Sequence, residues 1–117
     1  MLYLADVDMP EAWEVLLIAL KRYLNKHGAR ILSITGIIGQ RQVRISLDSL
    51  FHYHEPLPEY PRLMDAVRAI LEQRSQLERL NKVGVTIDKE GDSYFIRSTR
   101  KAIHELIQGP DSVHRGT

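Results

Sequence analysis

Two histidines, two residues apart, are the clearest potential metal ligands in the sequence. His52 and His54 belong to the run His52-Tyr53-His54-Glu55. In an extended chain the two side chains project to the same side, so two imidazoles could share one metal ion. A closed site needs a third or fourth ligand from a distant position, namely Glu59, His27 or His104. We therefore interpret the pair as solvated histidines of a polar loop, and predict no metal and no other cofactor.

Other catalytic signatures are not found in the sequence. The chain has no cysteine, which excludes disulfides and thiolate metal sites. Its serines and histidines form neither a nucleophile elbow nor a recognisable triad order, and there is no glycine-rich phosphate loop. The sequence thus favours a non-catalytic protein, and a metal-dependent enzyme that uses His52 and His54 is the least favoured of the functions considered.

Basic residues are concentrated in one part of the chain. Between Val15 and Leu47 there is no aspartate or glutamate, although the whole chain has a net charge of only +1. A divided charge distribution can attract a polyanion, or it can let one subunit dock on another. The basic residues of this segment and those near the chain's last helix form the predicted anion-binding or nucleic-acid-binding set: Lys21, Arg22, Lys26, Arg30, Arg41, Arg44, Arg97, Arg100 and Lys101.

The first part of the chain predicts a helix followed by a hairpin. Met1 to Val7 is a short apolar piece, either an edge strand or an ordered arm. A helix is predicted from Asp8 to about His27, with Gly28 as the residue that ends it. Arg30 to Ile38 is rich in β-branched residues and predicts a strand. Arg41 to Asp48 alternates apolar and polar residues, as a strand with one wet face does.

The longest helical pattern runs from Pro61 to Lys82, after a proline-rich connector. Leu63, Ile70 and Leu77 recur every seven residues, a spacing that fits packing against another helix. A continuous helix of this length would be a rod of about 33 Å. Its second half, Glu72 to Lys82, is polar, and we interpret it either as a cover for the second hairpin or as the part that a twofold-related copy contacts. The predicted contact residues are Leu77, Leu80 and Arg74.

The last part of the chain predicts a second hairpin and a short helix. Val83 to Ile87 and Ser93 to Arg97 are the two strands, with Gly91 in the turn. Thr99 or the preceding serine can cap the final helix, which Gly109-Pro110 is predicted to end.

These elements predict an α+β fold with the order helix–hairpin–helix–hairpin–helix. We expect a single domain over residues 1–109, with an antiparallel sheet of about four strands and helices packed on one face. Residues 110–117 are predicted to be a flexible C-terminal tail.

The leading functional hypothesis is a non-catalytic interaction or assembly module that self-associates and docks to another macromolecule, with a second copy or another protein as its partner. The alternative is a nucleic-acid-binding protein that uses the acid-free basic segment 15–47. No apolar run approaches the roughly 18 residues of a membrane span, and the acidic N-terminal sequence lacks the basic region of a secretory signal. We therefore expect a cytoplasmic protein with no membrane partner.

Overall fold

A long helix, α1 (Ala12–Ile37), contacts most of the other elements. The structure is a computed structural model that describes residues 10–115, and the side chains of residues 10–107. Helix α1 begins with a capping box, in which the backbone N–H of Glu11 donates to Oε1 of Glu14 at 2.8 Å. The predicted N-cap, Asp8, lies outside the described residues.

Helix α1 continues through Gly28, so the predicted end at His27 and the predicted strand Arg30–Ile38 are wrong. Gly28 is buried, and a Cβ at this position would lie 2.5 Å from Cδ1 of Ile107. The glycine therefore allows a second helix to pack closely, and it does not end the first one. Contacts with the last helix, from Ile107 to Gly28 and from Arg100 to Leu32 and Thr35, override the strand preference of the residues that follow.

Three strands form one antiparallel sheet, β1 (Gln42–Ser46), β2 (Val85–Glu90) and β3 (Ser93–Thr99), in the order β1-β3-β2. The predicted mixed α+β class with an antiparallel sheet is confirmed. The predicted number of about four strands is not confirmed: the described residues form three, because the segment expected to pair with β1 is helical. The predicted edge strand or arm Met1 to Val7 lies outside the described residues. The predicted second hairpin is confirmed, and Gly91 has the positive φ of 61° that its turn requires.

One face of the sheet belongs to the hydrophobic core. Ile45 and Ile87 both lie opposite Ile96, and Val43 and Val85 both lie opposite Ser98. Except for the half-buried Ile87, these residues are buried. The alternation predicted for β1 is therefore confirmed. The opposite face carries charged residues and Phe95.

The predicted rod from Pro61 to Lys82 is two helices, α2 (Leu63–Glu72) and α3 (Arg74–Lys82). Gln73 separates them with an extended conformation, φ −120° and ψ 109°. A straight rod of about 33 Å would span the domain, whereas the break keeps both halves on the core. Ile70 of α2 and Leu80 of α3 are both 0 % exposed.

The remaining elements complete the core and the end of the chain. A 3₁₀ helix, Leu47–Tyr53, buries Leu47 and Leu50. The last helix, α4 (Arg100–Arg115), is capped by Thr99, whose Oγ1 accepts from the N–H of Ala102 at 3.0 Å. Helix α4 runs past the Gly109-Pro110 pair, where we predicted its end. None of the helices in the described part of the chain is both long and apolar enough to span a bilayer.

Candidate nucleic-acid interface

Helices α2 and α3 and the β2–β3 hairpin follow one another along the chain and form a continuous unit. Helix α3 is held to the core from its inner side, where Leu80 is buried and Leu77 packs against the core cluster. The turn after α3 contains Gly84, whose φ is +85°. A Cβ on Gly84 would lie 2.7 Å from Cβ of Ala102, so the position of the hairpin relative to α3 depends on this glycine.

A polar clasp fastens α3 to the start of α1. The side-chain amide of Gln76 donates to Oε1 of Glu11 at 2.9 Å, and Oε1 of Gln76 accepts from the backbone N–H of Trp13 at 3.1 Å. Arg79 adds a contact of 3.4 Å to Oε2 of Glu11. The clasp fixes the rotation of α3 about its axis, and thereby fixes which residues face outward.

On the outward side of α3, every exposed side chain is polar and can form hydrogen bonds. Six of its nine residues are exposed, and none of the six is apolar: Arg74, Ser75, Glu78, Arg79, Asn81 and Lys82. Protein–protein interfaces usually have an apolar centre, which this surface lacks. Arginine, asparagine and glutamate are side chains that read base edges in the major groove of DNA.

The charges of this unit are balanced. Residues 62–92 contain six basic and six acidic residues. Arg62 and Arg68 lie 3.8 and 4.0 Å from Asp65, and Arg74 lies 4.0 Å from Glu78. Contacts this long between exposed groups contribute about 0–1 kcal/mol. The arginines can therefore move to another anion at little cost.

The outer face of the sheet carries closer ion pairs. Nε of Arg97 donates to Oδ2 of Asp88 at 2.8 Å, and Nη2 donates to Oδ1 at 3.3 Å. The hydrogen bond from Arg97 lowers the pKa of Asp88 below its ordinary value, and the same bond raises the pKa of Arg97. Arg44 pairs with Glu90 at 3.0 Å, and its Cζ lies 3.9 Å from the ring centroid of Phe95. The two predicted anion-binding arginines of this face therefore already have carboxylate partners.

The structure does not gather the predicted basic set on one face. Arg44 and Arg97 lie on the sheet. Arg22, Lys26 and Arg30 lie on α1 and are exposed, and Arg22 pairs with Glu55 at 3.1 Å. Lys21 is half-buried, and the remaining members are at the turn before β1 or at the start of α4: Arg41, Arg100 and Lys101.

Arg100 fastens the end of α1. Its Nε donates to Oγ1 of Thr35 at 2.9 Å, and its Nη2 donates to the backbone oxygen of Leu32 at 2.7 Å. The backbone N–H of Arg100 donates to the oxygen of Arg41 at 3.0 Å. These contacts hold the last turn of α1 against α4 and give Arg100 a structural role.

The predicted oligomer residues lie in two environments. Leu80 has no exposed surface and Leu77 is half-buried in the core of the same chain, so both leucines serve the monomer's core. Arg74 is exposed on α3.

The histidines predicted as potential ligands do not converge. His52 is exposed, and Nε2 of His54 donates to the backbone oxygen of Tyr60 at 2.8 Å. His27 contacts Tyr53 instead, with its Nε2 3.2 Å from the phenol oxygen. Among the residues described, no three histidine, aspartate or glutamate side chains form a group that could hold a metal ion.

Comparison with known proteins adds no relative. No family, curated protein or solved structure matches the chain. The candidate interface therefore depends on its own geometry.

The sequence pattern showed that the second half of the long helix is polar, but the leucines of that half were predicted to contact a partner. The clasp joins residues more than sixty positions apart, and no local pattern indicates it.

Proposed function

We propose that this protein binds double-stranded DNA, with α3 in the major groove. The observation that supports this most directly is the exposed side of α3, where every side chain can donate or accept a hydrogen bond. The clasp from Gln76 to Glu11 holds α3 as a rigid reading surface. A rigid helix keeps its side chains in register with the bases, which a mobile segment could not do.

The order of elements supports the same proposal by analogy. In a helix–turn–helix the second of two short helices enters the major groove and the first crosses the phosphate backbone. Here the single extended residue Gln73 takes the place of the turn of about 3–4 residues that is typical of the motif. A helix and a strand before the pair, and a hairpin after it, with the strand order β1-β3-β2, resemble a winged helix–turn–helix domain. The hairpin would be the wing. An analogy of fold does not fix function, so the proposal depends on the residues of α3.

The residues of α3 have distinct expected roles. Arg74, at the first position of the helix, would contact guanine through two hydrogen bonds. Asn81 and Glu78 have the chemistry to contact adenine and cytosine. Arg62, the residue before α2, and Arg68 on α2 are exposed and would contact phosphates, because their contacts to Asp65 are long and weak.

The balanced charge of the unit determines what kind of binding to expect. Each phosphate contact made by a cation contributes to the salt dependence of binding. With as many acidic as basic residues between positions 62 and 92, non-specific affinity should be weak and the salt slope shallow. Binding should therefore depend strongly on base sequence.

Selection from a pool of random duplexes, followed by fluorescence anisotropy on the selected site, tests the proposal. Arg74→Ala should cost about 1–3 kcal/mol of binding free energy and relax the preference at one base pair. Lys26→Ala is the matched control, because Lys26 is an exposed cation on α1, away from α3, and it should leave binding unchanged.

Two results would overturn the proposal. The first is no sequence enrichment and no binding to duplexes at low salt. The second is weaker binding by Lys26→Ala together with unchanged binding by Arg74→Ala. This result would assign nucleic-acid binding to the acid-free segment 15–47.

A second candidate function is assembly with another copy. Helix α3 offers no apolar centre for such a contact. The exposed end of α1 does, and its three large apolar side chains favour this candidate.

A further inference from the structure

The end of α1 exposes three isoleucines, which we call the isoleucine patch. Ile34 is 51 % exposed, Ile37 is 81 % exposed and Ile38 is 63 % exposed. Large apolar side chains scattered singly on a surface are normal, whereas a contiguous group indicates a contact site. The contacts of Arg100 with Thr35 and Leu32 hold this end of the helix in place. The patch is therefore a fixed surface.

The charges around the patch restrict what can cover it. Arg30 and Arg41 are exposed on either side of it in the sequence, and no acidic residue occurs between Val15 and Leu47. Direct packing of two patches around a twofold axis would bring these cations together, and like charges across an interface are unfavourable. The complementary surface must combine apolar side chains with carboxylates.

The chain contains a segment of that composition. Residues 2–9, Leu-Tyr-Leu-Ala-Asp-Val-Asp-Met, carry large apolar side chains and two carboxylates, Asp6 and Asp8, and no basic residue. We call it the acidic arm. Its carboxylates match Arg30 and Arg41, and its apolar side chains match the isoleucines.

The acidic arm cannot reach the patch of its own copy. Helix α1 rises 1.5 Å per residue, so Ile34 lies about 33 Å along the helix from Ala12. A fully extended chain spans at most about 3.6 Å per residue, so Leu2 lies within about 29 Å of Pro10. Asp6 and Asp8 are limited to still shorter distances. If an acidic arm covers the patch, it must therefore come from another copy.

A nearer groove on the same copy suits the arm less well. The groove has a volume of about 230 Å³ and its lining includes Pro10, Ile18 and Arg22. Glu55 also lines it and pairs with Arg22 at 3.1 Å. The carboxylates of the arm would meet a cation that is already neutralised, whereas at the patch they meet arginines for which the described residues show no ion pair.

We propose that the acidic arm of one copy docks on the isoleucine patch of a second copy, and that reciprocal exchange of arms forms a twofold dimer. Such a contact is isologous, since each copy gives an arm and receives one. The dimer does not require the proposed DNA binding. If both hold, it carries two α3 helices to two half-sites of one duplex.

Charge reversal tests the proposal with the full chain. Size-exclusion chromatography with light scattering over a concentration series should find a dimer. Asp6→Lys/Asp8→Lys should raise the dimer dissociation constant at least about tenfold, and so should Arg30→Glu/Arg41→Glu. An equimolar mixture of the two variants should recover the dimer, because each arm then meets a patch of opposite charge. Asp92→Lys, on the hairpin, is the matched control and should not change the dimer.

Ile37→Glu separates the patch from the rest of the surface. Since Ile37 is 81 % exposed, this variant should fold with an unchanged circular dichroism spectrum and elute as a monomer. A wild-type chain that stays monomeric at every concentration would overturn the proposal. A dimer that survives both Ile37→Glu and the charge reversals would do the same.

Cross-linking identifies the occupant directly, because the chain has no cysteine of its own. A mass-tagged Val7→Cys copy mixed with an Ile37→Cys copy should give the mixed disulfide under mild oxidation. Val7→Cys mixed with Ser93→Cys is the control and should give much less. Equal yields would overturn the proposal, as would an efficient intramolecular disulfide in a chain with Val7→Cys and Ile18→Cys.

A monomer that binds anionic vesicles, and loses that binding with Ile37→Glu, would assign the patch to lipid instead.

Discussion

Two exposed helix surfaces in the described part of the chain differ in almost every physical property. The outward side of α3 is polar throughout, contains charges of both signs, and is anchored from behind by Leu80 and the clasp to Glu11. The isoleucine patch at the end of α1 is apolar, and the charged residues nearest to it in the sequence are all basic. Both belong to helices that bury their other side in one core, so neither surface is exposed for lack of packing partners.

The difference indicates two separate roles. Covering apolar surface contributes free energy of about 25 cal/mol per Å², without directional requirements. Hydrogen bonds to a partner replace hydrogen bonds to water, so they contribute little net binding free energy. A partner that leaves a buried donor or acceptor unpaired, however, binds much more weakly. The isoleucine patch is thus suited to a stable contact, and the outward side of α3 to discrimination between similar sequences.

The largest expected effect separates the core side of α3 from the isoleucine patch. Leu80→Ala removes buried methyl groups and should destabilise the protein by about 2–5 kcal/mol. Ile37→Ala changes an exposed side chain and should shift the stability of the monomer by less than about 0.5 kcal/mol. Urea denaturation followed by circular dichroism measures both. Equal losses of stability would mean that Ile37 is buried within the monomer, and that the isoleucine patch is not an exposed surface.

The turn between α3 and the hairpin gives the next effect. Gly84→Ala should destabilise by about 2–4 kcal/mol, because a side chain there must adopt a positive φ and also meets Ala102. Gly91→Ala is the matched control, since its φ is also positive but nothing lies within 4 Å of the added Cβ. It should cost only the backbone term, about 1–2 kcal/mol. Thermal unfolding of both variants distinguishes close packing from backbone strain.

Arg100 tests whether the isoleucine patch is held in place. Arg100→Ala removes the hydrogen bonds to Thr35 and Leu32 and should cost about 1–2 kcal/mol. Amide exchange in residues 34–38 should become faster, while exchange in α3 stays unchanged. Lys101→Ala, an exposed neighbour on α4, should have no such effect. Unchanged exchange in Arg100→Ala would show that the last turn of α1 is stable without this contact.

Sequence patterns predicted the elements that local signals define. The β2–β3 hairpin was predicted because apolar and polar residues alternate around Gly91, and β1 because Val43 and Ile45 alternate with polar residues. Each signal lies within a few residues of the element that it specifies. The α+β class followed from these strands and from the helical patterns around them.

The elements that sequence patterns missed are set by distant contacts. Gly28 has the local signature of a helix end, yet Ile107 packs on it, and α1 therefore continues for nine more residues. Gln73 is neither glycine nor proline, so nothing local marks the break between α2 and α3. The isoleucine patch was hidden by the same error, because its residues were assigned to a strand of the core.

The smallest expected effect concerns the ion pair between Asp88 and Arg97 on the outer face of the sheet. Arg97 lowers the pKa of Asp88 in the folded state, so the pair stabilises the protein above the unfolded pKa of about 3.9. That contribution disappears as the pH falls through the lower folded-state pKa. Asp88→Asn should therefore lower the melting temperature slightly between about pH 5 and pH 8.

As the pH falls from the unfolded pKa of about 3.9 through the lower folded-state pKa, the wild-type protein and Asp88→Asn should converge, because the wild-type carboxylate becomes protonated and loses its charge. Both groups are partly exposed, so solvent screens the pair, and the loss should be smaller than that of Arg100→Ala. Asp92→Asn, in the turn of the same hairpin, controls for a change in net charge. A difference between wild type and Asp88→Asn that does not narrow at all as the pH falls below about 3.9 would show that the side chain contributes by hydrogen bonding or packing and not by its charge. The outer face of the sheet would then resemble the outward side of α3. On both surfaces, hydrogen bonding would matter more than net charge.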